Sequence, residues 1–377
     1  MEQNPVLTGH SFAADARLAV REFHAAVSQP ETELVVFFCS SCYDLDALAD
    51  EMRILFPATQ VLGCTTAGEI GPSGYGEKSL SGASFAKGAF TAVVGLLPGL
   101  QAFDFARGHE FASALMRSLE ARAVDPDVRN TFAFQLIDGL AVREEQVVHA
   151  FQNALGRIPL IGGSAGDDLR FVRTCVYHDG RFHTDAVVLA LIHSRCPFRI
   201  FKTQHFVSDA ERLVVTEADP VRRVVKEING LPAVDEYARV IGVSPDQLGS
   251  FSFASSPVVV VIDGTDYVRS IQKANDDGSL TFYCAIEEGL VLRVAHGENL
   301  RDNLIQSLQA LEQAIGPLQL VLACDCILRN LEVTSDGSKA QIGEIFAQHH
   351  AVGFSTYGEQ YCGVHVNQTL TGIAIGR

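Results

Sequence analysis

Apolar and polar positions along the chain fall into a pattern that occurs three times. Residues 34–38 (Leu34-Val35-Val36-Phe37-Phe38) form an apolar run of strand length. Over residues 44–56, Leu45, Leu48, Met52 and Leu55 recur at the 3–4 spacing of an amphipathic helix. The unit then reads Val61-Leu62-Gly63-Cys64-Thr65-Thr66-Ala67-Gly68-Glu69. A second copy starts at Phe132–Ile137, carries Val147, Val148, Phe151 and Leu155, and ends Leu160-Ile161-Gly162-Gly163-Ser164-Ala165-Gly166-Asp167. A third starts at Leu318–Ala323 and ends Ala351-Val352-Gly353-Phe354-Ser355-Thr356-Tyr357-Gly358-Glu359. Each copy has the size of a strand–helix–strand unit and closes on glycine, serine or threonine, glycine and an acid; the second signature is one residue shorter. Hairpins are expected after each, over residues 82–97 around Lys87-Gly88, 172–193 around Asp179-Gly180, and 363–375. The predicted fold class is therefore α/β, with repeated strand–helix–strand–hairpin units forming mixed sheets.

The middle of the chain breaks this rhythm. Residues 219–229 and 233–240 read as short helices. Residues 258–262, 267–273 and 280–284 read as strands joined by turns at Asp263-Gly264 and Asp277-Gly278. Residues 300–315 form a strong amphipathic helix, with Leu300, Leu304, Leu308, Leu311 and Ile315 on one face. Asn229-Gly230 and Pro232 interrupt the pattern, which places a domain boundary near residues 218–232.

Glycines around serine or threonine at a strand end let the backbone turn sharply and approach a neighbour closely. Three copies favour a structural turn over a ligand loop, and Glu69, Asp167 and Glu359 are expected to stabilise those turns. The glycine-rich stretch 71–76 opens no helix, so it is a weak phosphate loop.

Composition narrows the partners. With 29 basic and 45 acidic residues the net charge is −16, which argues against nucleic acid and anionic membranes. No apolar run approaches the ~20 residues of a membrane helix. The first residues lack the basic and apolar regions of a secretory signal. A cytoplasmic protein with reduced thiols is expected, since nine cysteines is an odd number.

No nucleophile–base pair, phosphate loop or metalloprotease motif occurs, so no enzyme activity is expected. Cys39 and Cys42 end the first strand and Cys324 and Cys326 end its counterpart in the third copy; four converging thiols could bind zinc or act in redox chemistry. Against this, cysteines at strand ends usually behave as small hydrophobes. His205 lies in the aromatic-rich run Phe198–Val207, on one face with Phe201, Thr203 and Val207. His193 closes the apolar run 186–192. A neutral imidazole in an aromatic wall, with Phe201 and Phe206 nearby, is what an axial haem ligand requires, although either histidine alone reads more simply as a satisfied core group. His365 is expected to hydrogen-bond within the third hairpin.

The three signatures, and above all Gly353–Glu359 continuing into His365-Val366-Asn367-Gln368-Thr369, resemble FIST domain proteins, with two intimately packed FIST modules at 1–218 and 219–377. The stretches 201–206, 215–220 and 226–230 resemble the nitric-oxide-sensing NosP subfamily. The resemblance implies a sensor that binds haem b through a histidine (His205 first, then His193, then His183) and senses nitric oxide. It further implies regulation of a separate histidine kinase or cyclic-di-GMP enzyme, with no output domain of its own; a homodimer is compatible with it. The alternatives are a haem-free FIST module for a small metabolite, such as an amino acid, and a cysteine-based zinc or redox sensor.

Overall fold

The computed structural model describes residues 4–262 and 264–377. The Asp263-Gly264 turn and the first three residues lie at or outside those limits. Three six-stranded sheets are built on one plan. In the first, the parallel pair Thr32–Ser40 and Gln60–Thr66 is flanked by Leu80–Ala86 and then Val6–Ser11. The second repeats this with Thr131–Ile137, Leu160–Ser164, Ala186–Ser194 and Phe90–Pro98. The third uses Leu318–Cys326, Ala351–Thr356, Leu370–Gly376 and Phe198–Thr203. The mixed α/β class expected from the repeats is the observed one.

The sixth-strand positions are filled by exchange. The hairpin Glu69–Gly71/Gly74–Gly76 of the first repeat joins the third sheet. That of the second, Val176–His178/Arg181–His183, joins the first sheet, and that of the third, Glu359–Tyr361/Val364–Val366, joins the second. The signatures therefore interlock in a ring. The Gly166 amide donates to the Thr65 carbonyl (2.9 Å), the Ala67 amide to Ser355 (3.0 Å), and the Ser164 amide to Gly358 (2.8 Å). A Cβ on Gly166 would stand 2.8 Å from the Ala67 nitrogen, which explains the glycine.

All three sheets turn one face to a shared core, where Phe38 stacks on Phe354 (4.7 Å) and meets Phe134 edge-on (6.5 Å). Helices cover the outer faces: Ala16–Val27 and Leu45–Leu55 on the first sheet, Phe105–Glu120 and Glu144–Leu155 on the second, Leu300–Ile315 and Lys339–Gln348 on the third. Burial on both faces is why the central strands read as unbroken apolar runs.

The third repeat is split. After Phe198–Thr203 the chain enters a nine-stranded antiparallel sheet with its own core, and it returns at Leu300. The expected boundary at 218/219 falls within a run of this inserted sheet, at the end of strand Leu213–Asp219.

Three local expectations are corrected. Residues 363–375 are not a hairpin: Val364–Val366 pairs with Glu359–Tyr361 in the second sheet, and Leu370–Gly376 belongs to the third. Residues 82–97 are not a hairpin: Leu80–Ala86 and Phe90–Pro98 belong to different sheets, and the hairpin lies earlier, in the glycine-rich stretch 71–76. Residues 219–229 are not a helix but contain strand Val224–Ile228, because left-handed Arg223 (φ 56°) and Asn229 (φ 55°) bracket a β-branched segment.

Candidate functional site

Loops from all three repeats gather at the carboxyl ends of the parallel strands. Asp167 organises the most unusual of them. Its carboxylate accepts the backbone amides of Phe171 (2.9 Å), Val172 (2.7 Å) and Arg173 (2.9 Å) and the Tyr357 hydroxyl. Burial pushes this carboxyl up, but the Tyr357 hydroxyl and those amides outweigh it and hold its pKa below the ordinary value. The pinned loop carries Asp168, Leu169 and Phe171 in left-handed backbone (φ 58°, 60° and 52°). Each costs roughly 1–3 kcal/mol, a strain that persists only where surroundings enforce it and that clusters at ligand sites.

Glu69 and Glu359 are turn stabilisers. Glu69 accepts from Thr66 and from the amide and hydroxyl of Ser79 (3.0 and 2.6 Å). Glu359 accepts from the amide and hydroxyl of Thr369 (3.1 and 2.7 Å).

Two cavities flank the strained loop. One, of about 370 Å³, is bordered by Cys42, Lys78, Asp168, Arg170, Asn330 and Lys339 together with Ala67, Leu169, Ile327 and Leu331. The other, of about 490 Å³, is bordered by Phe171, Gln272, Lys273, Tyr283 and Leu328. Leu169 and Leu331 are walls of both, so the two cavities meet across this pair. Within the first, Asp168 accepts from Ser41 (3.1 Å) and from the Cys42 thiol (3.6 Å), and Asn330 donates to Ser355 (2.8 Å). Lys339 pairs with Glu77 (2.7 Å). Both volumes suit a small ligand.

The chain matches the FIST N domain over residues 33–231 and the FIST C domain over residues 233–362. It belongs to the FIST family. FIST domains are sensory modules that bind small ligands in signalling proteins, and the cleft lies where the three FIST repeats converge. No curated protein matches the chain. Among the described residues no helix is long and apolar enough to cross a membrane.

The residues singled out for cofactors do not converge. His205 is fully buried at the crossing into the inserted sheet, beside Phe206 (ring centroids 4.2 Å). Its Nε2 faces both Glu332 oxygens (2.9 and 3.1 Å) and its Nδ1 lies 3.2 Å from an Arg329 nitrogen. Both ring nitrogens are engaged, so neither can reach iron as the site stands. The expected shared face also fails: strand Phe198–Thr203 ends before His205, Phe201 packs under the helices of the third sheet, and Phe206 packs into the inserted sheet. His193 lies in the second sheet opposite Thr91 and Thr131, and burial, then Arg195, lowers its pKa. Among the described residues, the His183 ring reaches the His178 carbonyl (3.3 Å) and no metal-binding partner. None of the cavities bordering the cleft has a histidine in its wall. These residues do not fit haem.

Nor do the cysteines form a zinc site. Cys39 packs into the helix layer of the first sheet, Cys324 into the shared core, and Cys326 beside Tyr357, while Cys42 is exposed. Burial pushes the thiols of Cys39, Cys324 and Cys326 well up, which keeps them protonated. Among the described residues no three metal-binding side chains converge. His365 is buried in the third hairpin and its Nδ1 faces the Gln360 amide (3.4 Å).

Asp168, Leu169, Arg170, Phe171, Asn330 and Leu331 escaped the reading of the sequence. The available signal was the shortened second signature, which ends at Asp167 directly before this loop.

Proposed function

We propose that this FIST protein is a ligand-responsive signalling module, free of haem, that holds a small metabolite in the cleft between its strand-end loops. The observation that carries this reading is the meeting of the two cavities at Leu169 and Leu331, beside a loop strained at three non-glycine positions, Asp168, Leu169 and Phe171. Helix Ile327–Ser335 supplies Asn330 and Leu331 to the cleft and Arg329 and Glu332 to His205. A ligand that shifts this helix would reach the inserted sheet through His205, and a signalling partner such as a histidine kinase or cyclic-di-GMP enzyme would read that change. The engaged His205 imidazole favours this reading over nitric-oxide sensing through haem.

Thermal denaturation of the full chain against a panel of small metabolites tests it. A ligand at about 100 times its Kd should stabilise the fold by about 2.7 kcal/mol. That gain should shrink in Asp168→Ala and Asn330→Ala. Ligands whose effect survives both substitutions would place the site elsewhere.

A further inference from the structure

The larger cavity carries more chemical information than its partner. Its roof is Phe171, which stacks on Tyr357 (4.8 Å, 24°) and faces Tyr283 at 6.3 Å. Phe171 remains 37% exposed. Asp167 and Tyr357 hold the ring in place, and its uncovered part leaves apolar surface for a ligand. Leu169, Leu328 and Leu331 complete an apolar slot. At its rim stand Gln272 and Lys273, both from the inserted sheet.

Charge separates Lys273 from its neighbours. Arg223, beside Tyr283, is neutralised by Glu144 (2.7 Å) and Glu145 (2.6 Å), and Lys339 by Glu77. Lys273 makes no ion pair among the described residues. In a chain of net charge −16, a free ammonium at the mouth of an aromatic slot selects an anion. No histidine, cysteine or methionine borders the slot.

We infer that this cavity takes a flat aromatic ring system bearing one acidic group, with the ring against Phe171 and Tyr283 and the acid on Lys273. The inference rests on the cleft being the ligand site and specifies the ligand class. Because Phe171 belongs to the second repeat and Tyr283 and Lys273 to the insertion, such a ligand bridges the two bodies.

Two fluorescent probes test it on the full chain: anionic 8-anilinonaphthalene-1-sulfonate and uncharged N-phenyl-1-naphthylamine. Phe171→Ala should weaken both about tenfold through lost ring contact. Lys273→Gln, an exposed position safe for folding, should weaken the anion about tenfold and leave the neutral probe unchanged. Phe251→Ala, in the apolar pocket beside Ala254 on the far side of Leu331, should change neither. Equal response of the two probes to Lys273→Gln, or anion binding that depends on Phe251 instead, overturns the inference. A metabolite whose stabilisation depends on Asp168 and Asn330 but not on Lys273 would also overturn it while leaving the cleft intact. Loss of the cleft reading shows differently, as metabolite effects that ignore Asp168 and Asn330.

Discussion

His205 Nε2 lies 2.9 Å from a Glu332 oxygen while an Arg329 nitrogen stands 3.2 Å from Nδ1. A guanidinium can only donate, so Nδ1 accepts and Nε2 carries the proton. Arg329 is itself buried and fixed by Asp325 (2.7 Å), which also accepts from Tyr75 (2.6 Å). The His205 carbonyl accepts the Glu298 amide (2.6 Å), so both chain crossings into the inserted sheet are fastened at one residue. Replacing His205 by Ala leaves Arg329 short of an acceptor. We expect a loss of about 2–4 kcal/mol in chemical denaturation, with part of it appearing as earlier unfolding of the inserted sheet. An unchanged midpoint would deny the fastening role.

The same engagement bears on haem. Titration of haem into the purified chain should give no stoichiometric histidine-ligated spectrum, and His205→Ala should not alter whatever absorption appears. A Soret band that saturates at one equivalent, shifts with nitric oxide and vanishes in His205→Ala would restore the sensor reading.

Asp167 should prove more important for the loop than Asp168. Removing the Asp167 carboxylate takes the acceptor from three backbone amides and the buried Tyr357 hydroxyl, so Asp167→Ala should cost about 1–3 kcal/mol. Asp168 accepts only from the Ser40 and Ser41 hydroxyls and the exposed Cys42, so Asp168→Ala should cost less than about 1 kcal/mol. Thermal melts of the two variants compare these directly.

A buried carboxyl and a partly buried imidazole titrate in opposite senses. Burial raises the Glu69 carboxyl from 4.5 to about 7, and burial lowers the His10 imidazole from 6.5 to about 4. They are linked through Ser79, whose hydroxyl lies 2.9 Å from His10 Nε2 and donates to Glu69. Between pH 4.5 and 7 the folded state holds the Glu69 proton more tightly than the unfolded chain, so this group's contribution falls as pH rises. His10 does the reverse between pH 4 and 6.5, and the two offset in the parent protein. Single variants should expose them. Relative to the parent, Glu69→Gln should gain up to about 3 kcal/mol as pH rises from 4.5 to 7. A pH-independent difference would contradict the burial argument.

The repeats, their helices and the shared class of the three sheets were legible because strands buried on both faces leave unbroken apolar runs and helices such as Leu300–Ile315 leave a clean stripe. The exchange of hairpins was not legible, since pairing between Glu69–Gly71 and Ala351–Thr356 depends on partners nearly 300 residues apart. His205 was found but misjudged. Its run of aromatic neighbours suggested one wall, whereas the strand breaks at Gln204 and its acid, Glu332, arrives from a distant helix. Asp168, Leu169, Arg170 and Phe171 were missed because they sit in irregular backbone, where neither period applies; Asn330 and Leu331 lie on a helix, but their part in the cleft depends on the distant loop that meets them.

The central claim is that ligand occupies the space shared across Leu169 and Leu331. Leu331→Trp fills that space without adding charge, from a helix position that is only partly buried. Isothermal titration of a stabilising metabolite into the parent and into folded Leu331→Trp is the most direct measurement. A tenfold or greater loss of affinity, roughly 1.4 kcal/mol, is the predicted result; binding of equal strength in both proteins would contradict it.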